Sequence, residues 1–292
     1  MQLARGFYIV YSHQFACFII SNHIINIVPV EHALISLIII FESYQIMNQT
    51  FDLYIANETI ASDAQQLGVT IDDLKRICVQ VSANIVQYPE VCLQLTYYIT
   101  LPNQMLADKV DWPMWQPEQV RFSDYLWEET CLECFITGRT IDSNAFADYT
   151  TSYIEVNANP DGRYALYQFE SYRNPATLPP TPLYQDDGHT RASIDWTNKP
   201  KHQSTSANMH LLREQDTLLK PELKPNSYKR SFNVPLAQLS DSHLKYAINN
   251  TTIDHIHPCV ILRLDQTPLY FATSHASPPD FHNRQYWSRF EL

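Results

Sequence analysis

From residue 77 onward, apolar and polar positions alternate with a period of two. Ile77, Val79 and Val81 alternate with Cys78, Gln80 and Ser82, and Val91 to Thr100 is rich in β-branched and aromatic residues. Successive strand side chains point to opposite faces, so the pattern predicts two half-buried strands joined over Tyr88-Pro89-Glu90. A second hairpin is predicted where Ser152 to Ala158 and Arg163 to Tyr172 flank Asn159-Pro160-Asp161-Gly162. Pro at the second turn position and Gly at the fourth fit a type I turn. Tyr153, Glu155 and Asn157 would then face one way, and Ile154, Val156 and Ala158 the other. Tyr228 to Val234, Cys259 to Leu264 and Leu269 to Ser274 continue the series, the last two joined at Asp265-Gln266-Thr267-Pro268. Roughly nine strands with no βαβ alternation predict an all-β, antiparallel β-sandwich.

The most distinctive run is Tyr125 to Ile136. Read as one strand, it places Trp127, Glu129, Cys131, Glu133 and Phe135 on one face. Leu126, Glu128, Thr130, Leu132, Cys134 and Ile136 take the other, which turns apolar toward its end and suits a core. Glu133, between Cys131 and Phe135, is a candidate groove-lining acid. The alternative is a carboxylate satisfied by a structural Arg or Tyr.

Elsewhere the pattern weakens. Residues 101–124 contain Pro102, Pro113 and Pro117 and read as an irregular connection, whose Trp112, Met114 and Trp115 would cap a sandwich edge. Within 57–76, Thr70-Ile-Asp-Asp73 resembles a helix N-cap with an acidic first turn. Residues 174–227 are the most loop-like, with a short strand expected at Ser193 to Trp196, a helix at His210 to Leu219 and mobility over Lys199 to Asn208. The first 46 residues are apolar in blocks and unlike the rest, yet carry Asn26, Pro29, Glu31 and His32 within the best window. That argues against a membrane span. No basic n-region with a small-residue cleavage site is present, so a secretory signal is not expected either. The preferred expectation is a mis-assigned start, with the protein beginning at Met47, and a cytoplasmic location. The domain reading is therefore a foreign segment at 1–46, a lead-in at 47–75 and a sandwich at 76–292 with an insertion near 184–225.

Composition narrows the function classes. The formal net charge of −11 and the lack of a basic cluster argue against nucleic-acid binding. Gly is scarce, at 5 residues, which argues against phosphate-cradling loops. The six cysteines are spread along the chain and read mainly as buried thiols, with a Cys78–Cys92 bridge left open if their strands pair. Cys131 and Cys134 lack a second cysteine pair for zinc and would point to opposite faces of a strand. His255, His257, His275 and His282 could supply metal or haem ligands, against the commoner structural role of isolated histidines. Glu129 and Glu133 stand roughly 13 Å apart on an extended strand, too far for the usual glycosidase pair. No nucleophile-elbow or dinucleotide fingerprint appears. A ligand-binding module is expected rather than an enzyme, with a structural or protein-interaction module as the alternative and cofactors unspecified.

Four motifs then come together. Leu126-Trp-Glu-Glu-Thr-Cys-Leu-Glu-Cys-Phe-Ile136, Tyr153-Ile-Glu-Val-Asn157 with Pro160-x-Gly162, Tyr167-x-Phe169-x-x-Tyr172-Arg173, and Pro279-Asp280-Phe281-His282 resemble the bacterial DOMON-like family. That family is related to family 9 carbohydrate-binding modules. The resemblance covers about residues 76–292 and implies a β-sandwich that binds sugars or, in other branches, haem. In the carbohydrate-binding relatives a Trp followed six residues later by a Glu helps form the sugar site, and Trp127 and Glu133 keep that spacing. A flat ring covers a sugar's apolar face while a carboxylate accepts from its hydroxyls. The matching motifs add Glu155 and Arg173 to the candidate ligand-binding set. Thr130 stands where relatives often carry Asp, and no matching cluster supports a calcium site.

Overall fold

The computed structural model of the protein describes the backbone of residues 2–4, 7–11, 15–20 and 23–29, and residues 48–87, 90–138, 152–185, 187–197, 224–239 and 253–291. The chain divides into two compact units, Met1–Met47 and Asn48–Leu292. In the first, β1 (Gln2–Ala4), β2 (Phe7–Tyr11), β3 (Phe15–Ile20) and β4 (His23–Pro29) form an antiparallel meander. Among the described residues no helix is long and apolar enough to cross a membrane.

The second unit is mostly β. Its strands are β5 (Asn48–Ile55), β6 (Cys78–Gln87), β7 (Val91–Thr100), β8 (Cys131–Gly138), β9 (Tyr153–Ala158), β10 (Tyr164–Phe169), β11 (Asp195–Trp196), β12 (Ser227–Pro235), β13 (Ile253–Leu264), β14 (Thr267–Ala272) and β15 (Ser288–Arg289). All pairings are antiparallel, in the order β10-β9-β8-β13-β14-β5-β6-β7-β12-β11, with β15 also on β13. The sheet curls so that its two halves bury one core. Val79, Val81, Leu93, Leu95, Phe232 and Val234 come from one half. Leu132, Ile136, Ile154, Val156, Val260 and Phe271 meet them from the other. The alternation read in the sequence explains this directly, since each buried residue is flanked by more exposed neighbours along β6. The antiparallel, sandwich-like fold expected from the sequence is the one observed.

The boundary at 76 needs correction. β5 lies inside the sheet, pairing with β6 through Phe51↔Val81 and with β14 through Phe271↔Ile55. Phe51, Leu53 and Ile55 are buried and alternate with exposed Asp52 and Tyr54. Residues 48–75 are therefore part of the sandwich and not a lead-in. Two helices follow β5: α1 (Ile60–Leu67) and α2 (Ile71–Lys75). Thr70 and Asp73 form a reciprocal capping box at the start of α2, at the place the sequence suggested.

Other expectations shift in detail. The connection 101–124 contains a further helix, α3 (Gln104–Lys109), capped by the Asn103 side chain. Trp115 is buried and Trp112 packs on Tyr228 at 4.9 Å between ring centroids, whereas Met114 stays exposed. The insertion read at 184–225 is partly sheet, because Asp195 and Trp196 pair with β12. The mobility expected over 199–208 and the helix expected over 210–219 lie outside the described residues. Cys78 and Cys92 sit at opposite ends of the β6–β7 hairpin, and both thiols are free.

Candidate functional site

The site is built on the outer face of the β10-β9-β8-β13 layer. Strand register sets its rows: Tyr167, Glu155, Phe135 and His257 lie side by side, and Ala165, Asn157, Glu133 and Cys259 form the next row. This is the face opposite the main core, and the aromatics Phe135, Tyr153, Tyr167, Phe169 and Trp287 make it a second apolar cluster. Stacking of Tyr153 on Phe169 at 4.7 Å and 7° consolidates its floor.

A cavity of about 320 Å³ opens over these rows. Trp127, Glu133, Glu155 and Arg173, the four candidate ligand-binding residues, all line it, together with Phe135 and His282. They arrive by different routes. Glu133 and Glu155 come from adjacent strands in diagonal register. Arg173 follows β10, and His282 comes from the segment before β15.

Trp127 requires a correction. The run Tyr125 to Ile136 is not one strand: Leu126–Glu128 forms a 3-10 turn and β8 starts only at Cys131. Tyr125 initiates the turn with a φ of 63°, a conformation that costs a non-glycine residue about 1 kcal/mol or more. The turn returns the Trp127 ring to the cavity, held edge-on by Tyr125 and Tyr167 at 5.2 and 5.9 Å. Arg173, also at the cavity, has a φ of 50°. Strained backbone of this kind collects at sites where side-chain placement matters.

Glu129 and Glu133 part company for the same reason. Glu129 turns away and takes a two-pronged contact from Arg163, at 2.9 and 2.6 Å. Arg163 also bonds Asp161 in the turn Asn159–Gly162. Glu129 is thus the structural carboxylate that the sequence left as an alternative for Glu133. Glu133 has the groove-lining role: it is 2% exposed, and its Oε1 has no hydrogen-bond partner. Burial, then the Glu155 charge, push its carboxyl well above the ordinary range. Burial likewise pushes Glu155 up to about 7, opposed by a 2.7 Å hydrogen bond from Asn157 and by the Arg173 charge.

The remaining polar groups are fixed by one another. The Arg173 backbone N–H donates to the Tyr153 hydroxyl at 3.1 Å, and that hydroxyl stands 2.7 Å from His282 Nδ1. A hydroxyl oxygen has more than one lone pair, so Tyr153 can serve both partners whichever His282 nitrogen carries the proton. Nε2 faces Glu155 at 3.7 Å, beyond hydrogen-bond length. Burial, then the Arg173 charge, hold His282 down at about 3, so the imidazole is neutral and no ion pair forms. The Arg173 guanidinium is engaged by Asp280 at 2.7 Å, and the Tyr172 hydroxyl donates to the same carboxylate.

The remaining candidate cysteines and histidines make other contacts, with His255 Nδ1 3.0 Å from Asp254. Cys134 points into the main core and Cys131 to the cavity-side cluster, so the two thiols lie on opposite faces. His257 is 1% exposed and stacks on Trp287 at 6.2 Å, while His275 Nε2–H donates to the Tyr54 carbonyl at 2.7 Å. Among the described residues no group of three or more His, Cys, Asp or Glu is placed to hold a metal ion. Tyr153 and Asn157, which orient His282 and Glu155, were in the matched motifs but carried no assigned role. Their signal was the strand face they share with Glu155. No protein-family model, curated protein or solved structure matches the chain.

Proposed function

We propose that the protein is a non-catalytic ligand-binding module of the DOMON-like, carbohydrate-binding kind, with a sugar ring seated in the cavity between Trp127 and the Glu133/Glu155 pair. The observation that carries this reading is Glu133 itself. A buried polar atom without a partner costs on the order of 1–3 kcal/mol, and Glu133 Oε1 is such an atom, in the wall of a cavity. Hydroxyls of a bound ligand would satisfy it. Trp127, Phe135 and Phe281 supply apolar surface for the C–H face of a pyranose. Asn157 and Tyr153 hold the neighbouring polar groups in place, which limits the ordering cost of binding. The cavity volume is at the small end of the roughly 300–1,000 Å³ typical of small-molecule sites and suits one or two sugar units.

The test is a glycan array probed with the full-length protein and its Trp127→Ala variant. Binding to a defined sugar that falls at least about tenfold in the variant supports the reading. An array with no bound sugar, or hits unaffected by the substitution, overturns it.

A further inference from the structure

We infer that the ligand of this cavity carries an ammonium group, as an amino sugar does, and that Glu133 and Glu155 receive it. The inference deepens the sugar-binding reading and rests on it.

Charge bookkeeping around the cavity is one-sided. Its ionisable lining consists of the carboxyls of Glu133, Glu155 and Asp280 against the single guanidinium of Arg173, with His282 neutral. Asp280 already holds Arg173 at 2.7 Å. Among the described residues that leaves Glu133 and Glu155 without a cation bonded to either, although Arg173 acts on Glu155 through space. A neutral sugar could complete their hydrogen bonds but would compensate no charge on either carboxyl when it ionises. An ammonium does both, because it brings three donors and a positive charge to two carboxyls on neighbouring strands. The diagonal register of Glu133 and Glu155 puts their β-carbons roughly 7 Å apart or less, so both side chains can converge on one nitrogen. Trp127, Phe135, Tyr270 and Phe281 complete the walls. Aromatic walls around a desolvated cation add cation–π attraction.

Protons give the inference a distinctive signature. Glu133 meets Cys131 from its own strand, Glu155 from β9 and Cys259 from β13, and Tyr270 of β14 also senses its charge. None of these is cationic. Burial accordingly raises both carboxyls, which favours their protonated form where the ligand's charge would go. An ammonium ligand exchanges for such a proton, whereas a neutral sugar does not.

The experiment is isothermal titration of the full-length protein at about pH 6, where the amino sugars are fully charged and Glu155, held at about 7, keeps its proton. Glucosamine, galactosamine and mannosamine are compared with glucose, galactose and mannose at fixed ionic strength, in two buffers of different ionisation enthalpy. The expected result is an amine that binds at least about tenfold more tightly than its neutral parent and releases up to about one proton. Glu133→Gln and Glu155→Gln each remove that preference and the proton release, with urea melts confirming that both variants fold. Neutral parents that bind as tightly as the amines, without proton release, overturn the inference and leave sugar binding standing. An amine preference that survives both substitutions also overturns it. No binding by any of the six sugars overturns both readings.

Discussion

Glu133 holds a carboxyl in a buried wall where no cation among the described residues bonds it, and that arrangement works against the folded state once the group ionises. Glu133→Gln removes the ionisation at little change in shape. The variant is expected to match the wild type at about pH 5 and to exceed it at about pH 8 by on the order of 1–2 kcal/mol in urea melts, the stability–function trade-off that the proposed binding role entails. Equal midpoints at the higher pH would contradict the placement. Glu129 gives the opposite case. Arg163 grips it with two nitrogens and also bonds Asp161, so Arg163→Ala is expected to lower stability by about 2 kcal/mol, read by the same melts. The sequence could nominate both acids, but it could not separate them. Their fates are set by where the extended backbone begins, which depends on the left-handed Tyr125, and nothing in a Tyr announces positive φ.

At the scale of elements, the two-residue period located most strands because each has one face on a core. β5 escaped notice although Phe51, Leu53 and Ile55 alternate with Asp52 and Tyr54. Its run is short, and the polar and helical stretch after it made the region read as a lead-in. Its position between β14 and β6 makes it essential to the curl of the sheet. A chain beginning at residue 48 is expected to melt cooperatively, while one beginning at residue 76 exposes both strand edges and aggregates. Comparable melts for the two would show that β5 is dispensable. Within the intact chain, Phe51→Asp buries an unpaired charge in the main core and is expected to cost at least about 3 kcal/mol. The candidate site was legible in part for a related reason. Glu155 was placed on the correct face by the turn Asn159–Gly162, which fixes the β9–β10 register. His282 and Asp280 come from an irregular segment, and their positions depend on tertiary contacts with Tyr153 and Arg173 that no local pattern encodes.

For the whole molecule, buried titratable groups set opposing limits on stability. Glu155 is held at about 7, above its ordinary 4.5, so the folded protein keeps a proton that the unfolded chain has lost. Its contribution is full below about pH 4.5 and is lost as pH rises through 7. His257 and His282 are held down at about 3 from 6.5. Their contributions are full above about pH 6.5 and are lost as pH falls toward 3. Stability should therefore peak near pH 5–6.5 and fall on both sides, with a drop of about 3–10 °C in Tm on the alkaline side between pH 6 and 8.5. That alkaline limb flattens in Glu155→Gln. A limb unchanged by the substitution would assign the drop to other groups. The two faces of the β10-β9-β8-β13 layer thus divide the labour: one closes the main core, and the other holds groups whose ionisation is costly.

Whether a ligand occupies that second face is most directly read from the indole signals of the five tryptophans in a ¹H–¹⁵N spectrum, titrated with the best sugar from the array. Trp127 lines the cavity, whereas Trp112, Trp115 and Trp196 belong to or pack against the main core. Binding in the cavity predicts a saturable shift of the Trp127 signal with those three unmoved. A saturable shift at Trp112, Trp115 or Trp196 with Trp127 unchanged would contradict it.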